Sequence, residues 1–346
     1  MRRLDLSHLI YNGDFLDSLL EFYARLNENR SLRRLALNNV DLYNGDMFTQ
    51  HLADLLVHNE NLTSLSATYY NFGLDGTRLL SSVLRRRETS FRYLDLSEAG
   101  INDEACEVLV GALEGHSLLR SLELNGNYIR NGGCVAISNN LLKNPRSILV
   151  RLYLDNNSID DEGADALADG LGGNKCLKTL SIHGNAAITS RGYGAFSKAL
   201  CNAPRIDDIL LSNHNIQRLA ADENQLSEEL KSSLRFNQYV HKQYAANRKV
   251  AMHNFIYTCN MELFESISGS LVPLVITTIA DHASPATNRT GAEAKKHCAF
   301  VKEDYRVRHL ALHKIIRLCP SVCERRVGTT DGKLPAIGSP KRMRIA

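Results

Sequence analysis

The feature that most constrains this chain is a leucine-dominated pattern that returns every 28 to 31 residues. In the stretch from Leu149 to Ile159 it reads L-x-x-L-x-L-x-x-N-x-I, with Leu149, Leu152, Leu154, Asn157 and Ile159 at the fixed positions. The same frame recovers Met1, Leu4, Leu6; Leu32, Leu35, Leu37; Leu62, Leu65, Ala67; and Phe91, Leu94, Leu96. It continues through Leu119, Leu122, Leu124; Leu177, Leu180, Ile182; and Ile206, Ile209, Leu211. Every triad position is apolar, on the order of 24 sites, in a chain whose overall apolar fraction is 44%. Chance does not produce that run, so the chain is read as an array of about eight similar units.

The spacing between triads says what fills each unit. After Ile101 come Ala105, Leu109 and Leu113; after Ile159 come Gly163, Leu167 and Leu171; after Ile188 come Gly192, Phe196 and Leu200. Apolar residues four apart describe one face of an amphipathic helix. Asn102-Asp-Glu, Asp160-Asp-Glu and Thr189-Ser supply capping and acidic residues where those helices begin. Each unit is therefore a short strand, a turn, a helix and a return. One unit alone cannot bury both its strand and its helix face, but stacked neighbours can, with parallel strands on one side and helices on the other.

The turn asparagine, at Asn127, Asn157 and Asn185, is expected to satisfy buried backbone groups between adjacent turns. Val40, Tyr70, Ala99 and His214 replace it elsewhere, which confines any asparagine ladder to the middle of the array. On these motifs residues 1–220 resemble the ribonuclease-inhibitor-like class of leucine-rich repeats. That class includes ribonuclease inhibitor, the Ran GTPase-activating protein and the sensor ends of NOD-like receptors. The resemblance implies an α/β right-handed solenoid, a horseshoe with a concave parallel sheet and convex helices. The class shares an architecture and not a function.

Residues 221–324 read as a mainly helical C-terminal cap, with Gly269, Pro273 and the stretch from Ser284 as interruptions, and residues 325–346 as a disordered basic tail. Met1 already occupies the first consensus position, which suggests that repeats upstream are missing. The most apolar run, Leu271 to Ala280, falls short of the roughly 20 residues a spanning helix needs, and Pro273 interrupts it. The start of the chain has no apolar core of a signal peptide, so a cytoplasmic setting is expected, with the nucleus as the alternative. There the eight cysteines are expected to be mostly buried thiols, and the sequons at Asn29, Asn61, Asn156 and Asn288 carry no meaning. The net charge of +3 gives no reason to expect a nucleic acid or a membrane as partner.

Strand residues between the consensus positions point away from the helices. Three columns result: Arg3, Arg34, Ser64, Tyr93, Ser121, Arg151, Thr179, Asp208; Asp5, Ala36, Ser66, Asp95, Glu123, Tyr153, Ser181, Leu210; and Ser7, Asn38, Thr68, Ser97, Asn125, Asp155, His183, Ser212. Tyr93, Asp95, Glu123, Asn125, Arg151, Tyr153, Asp155 and His183 make an acidic, aromatic-bearing centre suited to a basic protein surface. Asp155 is expected to bear on binding and little on stability. His309, His313, Cys319 and Cys323 form the one metal-like grouping, but their spacing fits no compact zinc module, and Pro320 interrupts it. The tail motif Pro340 to Arg344 has the composition of a nuclear address. No phosphate loop, nucleophile elbow or paired acid–histidine motif is present, so no catalysis, cofactor or small-molecule substrate is expected. The reading is a non-catalytic module that binds a protein. Regulation of a small GTPase, or service as the recognition end of a larger NOD-like receptor, are the alternatives the resemblance leaves open.

Overall fold

The computed structural model describes residues 2–7, 26, 31–39, 45–59, 61–86, 91–114, 118–202, 206–221, 225–238, 242–251 and 253. Eight strands of three residues each form one parallel sheet in chain order: β1 (Arg3–Asp5), β2 (Arg34–Ala36), β3 (Ser64–Ser66), β4 (Tyr93–Asp95), β5 (Ser121–Glu123), β6 (Arg151–Tyr153), β7 (Thr179–Ser181) and β8 (Arg218–Ala220). Register repeats without a slip. Leu4, Leu35, Leu65, Leu94, Leu122, Leu152, Leu180 and Leu219 lie side by side across the sheet. All eight are buried beneath it. The array is an α/β leucine-rich-repeat solenoid.

Between successive strands run α1 (Gly45–His58), α2 (Gly73–Arg86), α3 (Asp103–Leu113), α4 (Asn131–Ile137, continued by a π turn Ser138–Leu142), α5 (Asp161–Gly172) and α6 (Ser190–Leu200). Asn102, Asp160 and Thr189 cap α3, α5 and α6 by accepting from backbone N–H groups of the first turn. Arg130 gives α4 no such cap. Instead Asp103 of the preceding repeat accepts from Arg130 N (2.6 Å) and Gly133 N (2.9 Å). Asp161 does the same for the next helix, accepting from Thr189 N and Gly192 N. Gly132 and Gly133 therefore lie in the first turn of α4 rather than in a loop. The helices pack closely: a Cβ at Gly163 would come within 2.9 Å of Asn131 Oδ1 and 3.2 Å of Cys134 Sγ on α4.

Two asparagine columns hold the turns together. Asn127 accepts from Ala99 N and Ile101 N and donates to Leu96 O. Asn157 accepts from Ile129 N and donates to Leu124 O, and Asn185 accepts from Ile159 N and donates to Leu154 O. The second column lies where helices return to strands. Asn174 donates to Leu142 O and accepts from Leu177 N, and Asn213 donates to Leu171 O and accepts from Ile216 N.

That second column corrects the last repeat. Ile206, Ile209 and Leu211 do not form a strand; Ile206–Leu211 is a helix, α7, and the strand lies at Arg218–Ala220. The true triad is Ile216, Leu219 and Ala221, all buried. Asp208, Leu210 and Ser212 leave the three columns, and Arg218 and Ala220 replace the first two. Asn213 stands three residues ahead of Ile216, as Asn174 does ahead of Leu177, so the asparagine fixes the frame where the apolar pattern fits twice.

Two helices follow β8: α8 (Glu228–Asn237), capped by Ser227, and α9 (Lys242–Ala251). The fully buried Lys249 ties α9 to the last repeat. Its ammonium donates to Leu200 O, to Asn213 O (2.8 Å) and to His214 Nδ1 (3.1 Å), while His214 Nε2 reaches Leu210 O. Burial pushes Lys249 down to about 7 and His214 down to about 4. The cap beyond 253, the tail, the His309–Cys323 grouping and the Pro340–Arg344 motif lie outside the described residues. Among the described cysteines Cys106, Cys134 and Cys201 are buried thiols, and no described helix is long and apolar enough to cross a membrane.

Candidate protein-binding face

The open face of β4 to β6 gathers the acidic and aromatic residues. Register sets Tyr93 beside Ser121 and then Arg151, and Asp95 beside Glu123 and then Tyr153. Two carboxylates thus stand directly opposite each other on adjacent strands, an arrangement that costs a sheet stability. Tyr93 lies beside both: its hydroxyl donates to Asp95 Oδ2 at 3.2 Å, and the Glu123 charge acts on the same phenol. Burial and the two carboxylates hold the Tyr93 phenol well above its ordinary range. Glu123 is half-buried, and burial followed by the Asp95 charge raises its pKa, against which Tyr93 and Arg151 work.

Asp95 and Asp155 are less available than the sequence suggests. Asp95 is buried, and it also accepts from Ser97 N, Ser97 Oγ and Ser66 Oγ. Asp155 accepts from the Ser181 hydroxyl and from His183 N (2.8 Å), and its own N–H donates to Asn125 Oδ1 (2.9 Å). In the same column Asn38 N donates to Ser7 Oγ and Thr68 N to Asn38 Oδ1. Third-column side chains therefore satisfy the next repeat's backbone, so Asp155 bears on stability as well as on the surface. Arg151 and His183 are exposed; Tyr153, Glu123 and Asn125 are partly exposed. These form the surface a partner can reach.

The sequence singles out no recognition residue on the turns that follow the strands. The residue before each consensus asparagine position has a left-handed backbone: Asn39 (φ +52°), Tyr69 (+59°), Glu98 (+54°), Gly126 (+63°), Asn156 (+52°) and Gly184 (+74°). Glycine and asparagine suit that conformation, whereas Tyr69 and Glu98 are strained by it. The Glu98 carboxylate acting on Tyr69 is the main cause of the raised Tyr69 pKa. Tyr69 is 58% exposed and Tyr128, on the turn after β5, is 66% exposed. No apolar periodicity marks such residues; the signal available was an aromatic at a turn position that elsewhere holds Asn or Gly.

A family model described as "Leucine Rich repeat" matches residues 88–110, 115–138 and 148–168, which include β4, β5 and β6. Human NACHT, LRR and PYD domains-containing protein 12 is 30% identical over 141 residues, covering 41% of this chain and 13% of that protein. Mouse NACHT, LRR and PYD domains-containing protein 14 is 28% identical over 181 residues, covering 51% of this chain and 17% of that protein. The chain thus spans less than a fifth of the length of either relative. Among solved structures, that of the Rad7 and Elc1 complex in yeast aligns at 17% identity with a TM-score of 0.37, over 61% of this chain and 54% of that one. The matched repeats, the unbroken register of eight parallel strands and the buried asparagine column converge: this chain is a leucine-rich-repeat protein.

Proposed function

We propose that the chain is a non-catalytic protein-binding module that receives a basic surface of its partner on the open face of the sheet, around Tyr93, Glu123, Arg151 and Tyr153. One observation carries the reading. Asp95 and Glu123 are held opposite each other, with Glu123 half-buried and its charged form disfavoured. A fold gains nothing from that pairing, and Arg151 offsets it only in part. A cation delivered by a partner would relieve the repulsion while the tyrosine rings bury apolar area around it. His183, Asn125 and Asp155 would form the polar rim.

The experiment is quantitative affinity capture from native lysate, with the wild-type chain run beside Glu123→Lys. The Glu123 backbone keeps its place in the ladder, where its carbonyl accepts from Leu96 N, whatever the side chain, so the variant should fold. Loss of basic proteins from the variant is the expected result; an unchanged partner list from a folded variant would overturn the placement.

A second reading concerns setting. The named relatives are much longer proteins whose names place LRR beside NACHT and PYD domains, which favours this chain as the recognition part of a larger protein of that kind. It is proposed to work in the cytoplasm. The full-length transcript tests this directly: an encoded nucleotide-binding module upstream supports it, and an in-frame stop immediately upstream of Met1 refutes it.

A further inference from the structure

We infer that the binding surface extends from the open face onto the rim of turns after β3, β4 and β5, where Tyr69, Glu98 and Tyr128 form a second contact strip for the same basic partner segment. The inference rests on the proposed binding face and adds to it a region no motif marks. Its starting point is the cost of the arrangement. Six described repeats share one left-handed turn position, and four of them fill it with Asn or Gly. Tyr69 and Glu98 are the two exceptions, on adjacent turns of the array. A backbone outlier that the fold could avoid with glycine, as it does at Gly126 and Gly184, points to a role for the side chain itself.

What those side chains offer is specific. Glycine at position 126 leaves room for Glu98 to lie over it, since a Cβ there would come within 2.5 Å of Glu98 Cγ. The carboxylate is thereby laid along the rim toward the turn that bears Tyr128. Tyr69 and Tyr128 flank it as two largely exposed rings on turns at the same edge of the sheet. Tyrosine is the residue type that concentrates binding energy at interfaces at small entropic cost. Glu98 on the rim and the half-buried Glu123 on β5 carry the same sign, with Arg151 beside Glu123. An extended segment carrying lysine or arginine every few residues is the occupant that fits, with one cation at Glu123 and another at Glu98.

The test uses the full chain and a displayed library of 12-residue peptides, selected on the wild type and then measured one by one on variants. Tyr69→Gly is the informative change, because it deletes the ring while giving the turn the residue its backbone favours. A structural role for Tyr69 predicts lower thermal stability and unchanged peptide affinity. The inference predicts unchanged or higher stability and peptide binding weakened roughly tenfold or more, with Tyr128→Ala weakening it similarly. Selected peptides should be basic, and Glu98→Gln should reduce the salt dependence of their binding. If Glu123→Lys abolishes binding while Tyr69→Gly and Tyr128→Ala leave it intact, the rim is refuted and the open-face reading stands. If the rim variants weaken binding and Glu123→Lys does not, the open-face reading falls instead, and with it the shared segment. Enrichment of acidic or purely apolar peptides, or of none, refutes both.

Discussion

Removing the Asn157 side chain is the sharpest perturbation of the fold. In the native chain its amide accepts from Ile129 N (3.0 Å) and donates to Leu124 O (2.9 Å), Leu154 O (3.1 Å) and Asp155 O (3.2 Å). In Asn157→Ala two of those groups keep a donor: Leu154 O retains Asn185 Nδ2, and Asp155 O retains Gly126 N. Ile129 N–H and Leu124 C=O lose theirs. An orphaned buried polar group costs about 1–3 kcal/mol, so the pair should cost about 2–6 kcal/mol. The site lies just beneath the surface, where water reaches part of the gap, which sets the expectation near 3 kcal/mol. Asn157→Asp separates geometry from bonding: it keeps the shape and the acceptor for Ile129 but turns a carboxylate oxygen toward three carbonyls. Its cost at neutral pH should match or exceed that of alanine and shrink in acid, where the protonated carboxyl can donate. Denaturant unfolding followed by circular dichroism gives the overall loss. Hydrogen exchange at the Ile129 amide gives the local one, which matters because a repeat array need not unfold in one step. Ser158→Ala, an exposed neighbour, serves as the control and should stay within about 0.5 kcal/mol. A loss below about 1 kcal/mol for Asn157→Ala would refute the view that the buried ladder, and not leucine packing alone, fixes the stacking.

Leu154→Ala, in the shared core, should cost about 2–5 kcal/mol, read as a shift in the denaturant midpoint; a near-neutral shift would contradict the register. Glu123→Gln should raise the melting temperature at pH 7.5, because a carboxyl whose folded pKa lies above its unfolded value contributes stability in acid and loses it as pH rises through the folded pKa. The advantage should fade toward pH 4, and the reverse order would refute the strained pairing with Asp95. Lys249 has its folded pKa lowered from 10.5 to about 7, so stability present above pH 10.5 is lost as pH falls through 7. The wild type should therefore gain stability from pH 7 to 9, with a slope approaching about 1.4 kcal/mol per pH unit, and Lys249→Met should flatten that rise.

Seven of the eight strands were legible because the requirement is simple. A strand buried on one face, repeated at a near-constant spacing, leaves three apolar positions in every unit, and Leu152 or Leu180 could stand nowhere else. The helix caps were legible for a similar reason, since Asn102, Asp160 and Thr189 act within their own turn. Contacts that cross between repeats were not. Asp103 accepts from Arg130 N, the cap residue of a helix 27 residues further on, and nothing about Asp103 itself distinguishes it from an ordinary first-turn acid. Lys249 reads as a surface lysine on a polar helix, and its burial depends on carbonyls up to 49 residues away.

The misplaced last strand and the overlooked rim share one cause. Apolar periodicity reports burial, and Ile206–Leu211 satisfies it as a short helix as well as it would as a strand. What separates the two frames is a polar residue with a bonding duty, Asn213, whose amide closes the return onto Leu171 O and Ile216 N. At the rim the informative quantity is again not hydrophobicity but backbone conformation. Tyr69 and Glu98 occupy a turn that Gly126 and Gly184 fill without strain, and only the dihedral angle exposes the mismatch. The residues that set where each repeat stops are thus polar ones with fixed partners. The candidates for recognition are those that violate what the repeat prefers: a carboxylate facing a carboxylate at Asp95 and Glu123, and a tyrosine where glycine belongs.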